Sequence, residues 1–267
     1  MNIGFIGCGN MATALIKGLI NSKFAAQPSD ILAFDIDEEV LDNLVKNLGV
    51  TPCKSHQNLV DYSDFIVLAV KTNQAESVLS KLNFKGKVLI SVIASTTIEQ
   101  LRSMIKNKDN ISIVRVMPNI NVAVGAGMTA ICPNNHIKEN ELKYVLDMFS
   151  SLGEVAEIIE KDFSAFTAIA GSSPAFTYLY IDSLARAALK AGMSKTEADK
   201  IAAQAVLGSA KKLLETNESP WTLVDKVCSP GGSSIAGICE LENNKFISTV
   251  IKGIDAVIAH DKETMNR

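Results

Sequence analysis

Cysteine and histidine are scarce in this 267-residue sequence. The five cysteines are scattered and include no Cys-x-x-Cys pair; they stand at positions 8, 53, 132, 228 and 239. An odd number of isolated thiols argues against a disulfide framework and favours the reducing conditions of the cytoplasm. The three histidines lie far from one another and from any cysteine at ligand spacing, so no metal site is predicted.

Long apolar runs and an excess of positive charge are also missing. No apolar stretch approaches the roughly 18 residues of a membrane span, and the N-terminus has neither the basic segment nor the cleavage site of a secretory signal. Lys and Arg number 26 against 29 Asp and Glu, which gives a formal net charge of −3. We therefore expect a cytoplasmic protein that binds neither a membrane nor a nucleic acid.

Short apolar runs recur through the first 160 residues, with helical patterns between them. Uninterrupted runs of this kind are typical of strands buried on both faces of a parallel sheet. Five strands are predicted, at residues 3–6, 31–34, 65–70, 88–93 and 111–117. Alternation of strands and helices indicates an α/β fold with a doubly wound sheet. Residues 1–160 are therefore expected to form a Rossmann-type domain.

The first predicted strand is followed by the pattern Gly7-x-Gly9-x-x-Ala12, which opens a helix. Gly7 permits a tight turn, Gly9 lets the backbone approach a pyrophosphate, and Ala12 allows close helix packing. Asp35 ends the second strand 23 residues after Ala12, where it can accept hydrogen bonds from a ribose. We expect dinucleotide binding, with a simple glycine-rich turn as the alternative. The carboxylate of Asp35 favours NADH because it repels a 2′-phosphate.

Strand patterns end near residue 160, where alanine becomes frequent: 12 alanines occur in residues 1–160 and 16 in residues 161–267. The second segment is expected to be an all-α domain. Its first long helix is predicted from Ala175 to Ala191, after Ser172 and Ser173 as possible caps, and others follow near residues 194–215, 219, 233 and 247–258. So many small residues leave little apolar bulk for a core. A homodimer is therefore expected, with a compact monomeric bundle as the alternative.

No Ser–His–Asp or Cys–His arrangement is visible, but hydride transfer from a dinucleotide requires mainly orientation and a polarised acceptor. Two loops are candidates for holding the second ligand. Residues 229–234, which include Gly231, Gly232, Ser233 and Ser234, place glycines and hydroxyls at a predicted helix start, a nest that suits a carboxylate. A turn with an N-cap is the simpler interpretation of that loop.

The second loop is Arg115-Val116-Met117-Pro118-Asn119, at the end of the last predicted strand. Ligands of such sheets bind beyond the carboxyl ends of the strands. Asn119 could face a nicotinamide or orient the loop, and an ordinary turn is the alternative.

Together these segments resemble the pyrroline-5-carboxylate reductase family over essentially the whole chain. The resemblance begins with residues 3–11 and continues through 68–71, 115–119, 124–125 and 171–176. It is most specific at residues 229–235, Ser-Pro-Gly-Gly-Ser-Ser-Ile, because the family signature is centred there.

The resemblance implies that a cyclic imine, 1-pyrroline-5-carboxylate, is reduced to L-proline by hydride from NADPH or NADH. It implies a cofactor site formed by Gly7, Cys8, Gly9, Asn10, Met11, Asp35, His56, Ala69, Val70, Lys71 and Asn119. It implies that the substrate is held by Ser172, Gly231, Gly232, Ser233 and Ser234. Ser234, the catalytic candidate, matches a family threonine that hydrogen-bonds the ring nitrogen. The site is expected at a dimer interface.

Several residues differ from the family pattern, mostly near its cofactor or substrate: His56, Thr72, Ile93, Ser95, Ile120, Asn121, Ser173 and Ser234. They leave two alternatives open, a paralogue that reduces another cyclic imino acid and a catalytically silent nucleotide-binding regulator. A β-hydroxyacid dehydrogenase is a weaker alternative. That class needs a lysine on the first long helix of the second domain, and none occurs between Ser172 and Leu189.

Overall fold

A computed structural model describes residues 1–106 and 110–265, which fall into two compact units. The first unit contains residues 1–171 together with the chain end from Val257, and the second contains residues 172–256. The strands are β1 Ile3–Ile6, β2 Ile31–Phe34, β3 Thr51–Pro52, β4 Phe65–Leu68, β5 Val88–Ser91, β6 Ser112–Met117, β7 Gly127–Pro133 and β8 Gly153–Glu157. The helices that accompany them are α1 Asn10–Asn21, α2 Glu38–Leu48, α3 His56–Tyr62, α4 Ala75–Leu79, α5 Ile98–Ser103, α6 Glu139–Ser150 and α7 Phe163–Phe166.

The strands form one sheet in the order β3-β2-β1-β4-β5-β6-β7-β8, and all neighbours are parallel except β6 and β7. The five predicted strands correspond to β1, β2, β4, β5 and β6, and the Rossmann-type fold is confirmed. The prediction missed the short β3 and the pair β7 and β8. Strand β6 is therefore followed by two more strands, so it is not the last strand of the sheet.

Alternating side chains of the strands build a core on each face of the sheet. One core takes Phe5, Val67, Ile90 and Val116, and the other takes Ile6, Ile66, Leu89 and Ile113. Successive side chains of a strand point to opposite faces. A strand that is buried on both faces is therefore mostly apolar, which explains the apolar runs in the sequence. Arg115 in β6 is the buried charged exception.

The pairing of β7 with β8 depends on a glycine pair. Gly127 and Gly153 are aligned in the register of the two strands. Gly153 has φ of +142°, and a Cβ on it would lie 2.1 Å from the carbonyl oxygen of Gly127. No side chain fits in that space, so the close approach of these strands requires glycine at position 153.

The chain is helical without a break from Phe163 to Lys190, through α7, a π-helical turn at Thr167–Ser172 and α8 at Ser173–Lys190. Ser172 has a helical backbone and its side chain makes no cap. The predicted capping by Ser172 and Ser173 is therefore wrong, because the helix is already formed upstream.

Pro174 lies inside this helical stretch and has no N–H to donate to the carbonyl of Ala170, four residues earlier. That carbonyl accepts from Nδ2 of Asn119 instead, at 3.0 Å.

The second unit contains α8, α9 Lys195–Leu214, α10 Pro220–Val227, α11 Ser233–Asn243 and the start of α12 Phe246–Met265. Among residues 172–256, all of which are described, only three are buried, and all are alanines: Ala185, Ala198 and Ala202. Large apolar side chains remain exposed on α8 and α12, among them Tyr178, Leu179, Ile247 and Ile251. None of the described helices combines the length and apolar character that crossing a membrane requires.

The glycine pair gives a prediction about stability. We expect Gly153→Ala to lower the free energy of unfolding by about 3 kcal/mol or more, since both the backbone conformation and the backbone of β7 oppose a side chain. Gly86→Ala is the matched control, because Gly86 also has a positive φ (+73°) but open space around its Cβ position. Its expected loss is about 1 kcal/mol. Urea unfolding measures both values, and equal losses would contradict the role of the close approach.

Candidate functional site

A groove of about 720 Å³ opens beside the carboxyl ends of β1, β2 and β4, where open α/β sheets bind their ligands. Seven of the residues predicted to surround a dinucleotide line it: Gly7, Gly9, Asp35, His56, Ala69, Val70 and Lys71. The other four predicted residues, Cys8, Asn10, Met11 and Asn119, do not line this groove. The structure thus brings together residues from four separate βα connections, those that follow β1, β2, β3 and β4.

The turn from β1 into α1 is shaped by two glycines. Gly7 has φ of +91°, and a Cβ on it would lie 2.8 Å from the carbonyl oxygen of Ala69. A Cβ on Gly9 would meet no atom within 4 Å, so glycine leaves open space there. Gly9 also provides no side-chain cap to α1. The first N–H groups of the helix are therefore available to an anion, and the turn fits the pyrophosphate of a dinucleotide.

Asp35 is held at the rim of this turn by two backbone groups. Its Oδ2 accepts from the N–H of Cys8 at 2.7 Å, and its Oδ1 accepts from the N–H of Asp37 at 2.9 Å. These bonds orient the carboxylate beside the glycine turn, where a ribose hydroxyl can reach it.

Cys8 contributes its backbone rather than a reactive thiol. Its side chain is buried, and burial together with the charge of Asp35 raises the pKa of the Cys8 thiol to about 12. Within the described part of the chain, no group of three or more His, Cys, Asp or Glu side chains is placed to hold a metal ion.

His56 lines the groove as the first residue of α3. The N-cap of that helix is Ser55, whose hydroxyl accepts from the N–H of Asn58 at 3.1 Å. The imidazole packs edge-on against Phe34, with ring centroids 4.6 Å apart. Burial lowers the pKa of His56 and Lys81 lowers it further, while Asp35 opposes both effects. The net lowering of the pKa favours the neutral form of the ring.

One wall of the groove comes from residues that the sequence prediction missed. They belong to α4 and its flanking turns: Gln74, Ser77, Val78, Lys81 and Leu82. Ser55 and Gln57 at the start of α3 were missed as well. Lys71, Gln74, Val78 and Lys81 follow one another at intervals of three or four residues, which places them on one face of a helix. This spacing is the signal from which the wall could have been predicted.

The loop at residues 229–234 enters α11 within the second unit. Gly231 has φ of +69°, and a Cβ on Gly232 would lie 2.4 Å from the hydroxyl of Ser229. Gly232 precedes α11 without a side-chain cap, and Ser233 and Ser234 occupy its first turn. Ser234 also lines a cavity of about 1030 Å³ with side chains of α8, α9 and α10. The first-turn N–H groups of α11 and the hydroxyls of Ser233 and Ser234 are donors that this loop can offer to a carboxylate.

Arg115 and Asn119, from the second candidate loop, are both buried and bound to the protein itself. Arg115 pairs with Glu160 at 3.1 Å and lies over the ring of Phe163. The Oδ1 of Asn119 accepts from the N–H groups of Asn121 and Met128, while its Nδ2 donates to Ala170. Of the roles considered for Asn119, the side-chain contacts support orientation of the loop.

Comparisons with known proteins find matches over nearly the whole chain. The family model for pyrroline-5-carboxylate reductase dimerisation matches residues 160–264. The model for coenzyme F420-dependent NADP oxidoreductases matches residues 2–95. The pyrroline-5-carboxylate reductase of Aquifex aeolicus is 40% identical over 96% of this chain and 94% of its own length.

Solved structures give the same relationship. The 1-pyrroline-5-carboxylate reductase of Streptococcus pyogenes superposes with a TM-score of 0.89 at 37% identity, and it covers 98% of both chains. The Plasmodium falciparum pyrroline carboxylate reductase, crystallised with NADP bound, also has a TM-score of 0.89, at 32% identity over 99% of this chain and 98% of its own.

The electrostatics of the groove predict the titration of His56. Its NMR midpoint should fall below the ordinary value of about 6.5, since burial disfavours the imidazolium. Lys81→Met removes a positive charge and should raise the midpoint. Asp35→Asn removes a negative charge and should lower the midpoint further. The signal is assigned by its loss in His56→Asn. A midpoint at or above 6.5 in the unmodified protein would contradict this description.

Proposed function

The chain belongs to the pyrroline-5-carboxylate reductase family, and we propose that it reduces 1-pyrroline-5-carboxylate to L-proline with NADH or NADPH as hydride donor. One observation carries the proposal: a relative with this activity in its name is 40% identical over 96% of the chain, a match long enough to include the 229–234 loop. The Gly7–Gly9 turn lies within residues 2–95, which the oxidoreductase family model matches. The family membership expected from the motifs is confirmed.

The groove of the first unit fits the dinucleotide. The N-terminus of α1 would hold the pyrophosphate above Gly9, and Asp35 would accept hydrogen bonds from the adenosine ribose. The same carboxylate favours NADH over NADPH, because a 2′-phosphate would be brought beside its charge. When bound, the nicotinamide supplies the hydride that the imine carbon receives.

The 229–234 loop is assigned to the imino acid. The N–H groups at the start of α11 and the hydroxyl of Ser233 would hold the carboxylate, with Ser172 as a further contact. Ser234 would hydrogen-bond the ring nitrogen and keep its proton in place. A protonated C=N accepts hydride more readily than a neutral one. Since a neutral serine is a poor acid, the hydroxyl positions the proton and water supplies it.

A homo-oligomer is the assembly that the second unit supports. Its few buried residues are alanines, and the apolar faces of α8 and α12 are exposed in a single chain, as expected of helices that pack against a second copy. We place the active site at a dimer interface, with cofactor binding in residues 1–160 and substrate binding and dimerisation in residues 161–267. The cytoplasmic location and the absence of nucleic-acid binding stay predictions.

A steady-state assay tests the function. Oxidation of NADH should require the cyclic imine, and kcat/KM should be at least about 10-fold higher for the five-membered ring than for its six-membered homologue, since one methylene in a fitted pocket is worth that much. KM should be lower for NADH than for NADPH because of Asp35. A preference for the six-membered ring would favour the paralogue alternative, and no turnover with any imine would favour the silent regulator.

The two serines of the loop should affect different kinetic constants. We expect Ser234→Ala to lower kcat about 10- to 100-fold, the cost of one lost hydrogen bond to the reacting nitrogen. Ser234→Thr should retain most of the activity, because it keeps the hydroxyl. Ser233→Ala should mainly raise KM for the imino acid. If Ser234→Ala leaves kcat unchanged, the role assigned to Ser234 is wrong.

A further inference from the structure

Near the end of the chain, α12 carries a buried carboxylate that the proposed chemistry does not use. Asp261 and Arg115 are the two buried charged side chains among the described residues. Arg115 has an acid partner, but none of the ion pairs among the described residues includes Asp261. Its Oδ1 accepts from the hydroxyl of Ser95 at 2.5 Å, and its Oδ2 accepts from the hydroxyl of Ser164 at 2.7 Å. A buried carboxylate is costly unless it is hydrogen-bonded in this way.

Ser95 lies in the loop that follows β5, in an unfavourable backbone conformation. Its φ is +54°, a region where a side chain other than glycine costs roughly 1–2 kcal/mol. Both serines that bind Asp261 are buried. The hydrogen bond to Asp261 therefore holds a strained residue in place at the carboxyl edge of the sheet.

One hydrogen bond connects this loop to the wall of the cofactor groove. The carbonyl of Ala94 accepts from the hydroxyl of Thr72 at 3.2 Å. Thr72 begins a 3-10 turn, Thr72–Gln74, that leads directly into α4. Lys71 and Gln74, on either side of Thr72, both line the groove, as do Ser77 and Val78 on α4. A shift at Ser95 would consequently move the groove wall.

The same end of α12 has a second attachment. The carbonyl of Met265 accepts from Nε2 of Gln100, on α5, at 3.0 Å, and the sulfur of Met265 lies 3.9 Å from Nη2 of Arg115. Helix α12 is thus attached to this part of the sheet edge at two positions one helical turn apart, Asp261 and Met265.

We propose that Asp261 is a positioning residue for the cofactor groove: by binding Ser95 it fixes the loop after β5 and, through Ala94 and Thr72, the wall formed by α4. The proposal rests on the proposed function only in taking the groove as the dinucleotide site. It assigns a role in cofactor affinity to a side chain on the last helix, which does not line the groove.

Ser95→Gly is the most informative test, because it removes the hydroxyl while glycine tolerates a positive φ. We expect the dissociation constant for NADH to rise about 10-fold, with KM for NADH rising in parallel and kcat changing less than twofold. The urea unfolding midpoint should stay close to that of the unmodified protein. Ser164→Ala is the matched control: it removes the other donor to Asp261 without touching the loop, and should lower the midpoint while leaving the dissociation constant within twofold.

A pair of substitutions at position 261 checks the acceptor. Asp261→Asn retains an oxygen that can accept from Ser95 and should keep most of the NADH affinity, whereas Asp261→Ala should lose it about as Ser95→Gly does. NADH fluorescence measures binding without any imine, so these results do not depend on turnover. An unmodified protein that binds NADH but reduces no imine would contradict the proposed function and leave the positioning role intact. Two results would overturn the positioning role. One is an unchanged dissociation constant for NADH in Ser95→Gly. The other is a set of dissociation constants that change in step with the unfolding midpoints across all four variants.

Discussion

At the end of β1 the chain must turn into α1 while its backbone passes close to the carbonyl of Ala69, at the end of the neighbouring β4. Gly7 meets this requirement with a positive φ and no side chain, and Gly9 then leaves the helix N-terminus open. The rest of the groove is arranged around that turn. Asp35 accepts a hydrogen bond from the N–H of Cys8, which fixes its carboxylate beside the turn, and His56 and residues of α4 line the same groove. A side chain at Gly7 would disturb the strand ends and the ligand site together.

The second unit buries far less apolar surface than the first. Its three buried residues are alanines, so α8 and α9 approach closely but bury little apolar surface. Hydrophobic stabilisation grows with the apolar area removed from water, and a unit with so few buried side chains gains little from its own packing. A second copy of the chain would supply the missing partner for the exposed apolar faces. The uneven distribution of alanine in the sequence thus corresponds to a difference in how the two units are stabilised.

The sequence was informative wherever burial imposed a pattern. Strands buried on both faces are mostly apolar, so β1, β2, β4, β5 and β6 were predictable. The prediction missed β3, whose two residues are exposed, and the pair β7 and β8, of which β8 is only partly buried. At the site, the glycine turn and Asp35 were predictable from local spacing. The contacts of Asn119 with Ala170 and of Ser95 with Asp261 join residues 51 and 166 positions apart. No local pattern encodes such pairs, and the predicted capping by Ser172 failed because the upstream helix is continuous with α8.

The central claim is that a nicotinamide bound in the groove around Gly7 and Gly9 delivers hydride to the imine carbon of 1-pyrroline-5-carboxylate. Single-turnover reduction with NADH dideuterated at the nicotinamide C4, followed by mass spectrometry of the product, tests it most directly. The account predicts proline that carries one deuterium, bonded to the ring carbon that was double-bonded to nitrogen. Proline without deuterium at that carbon, or no proline at all from a protein that binds NADH, would contradict it.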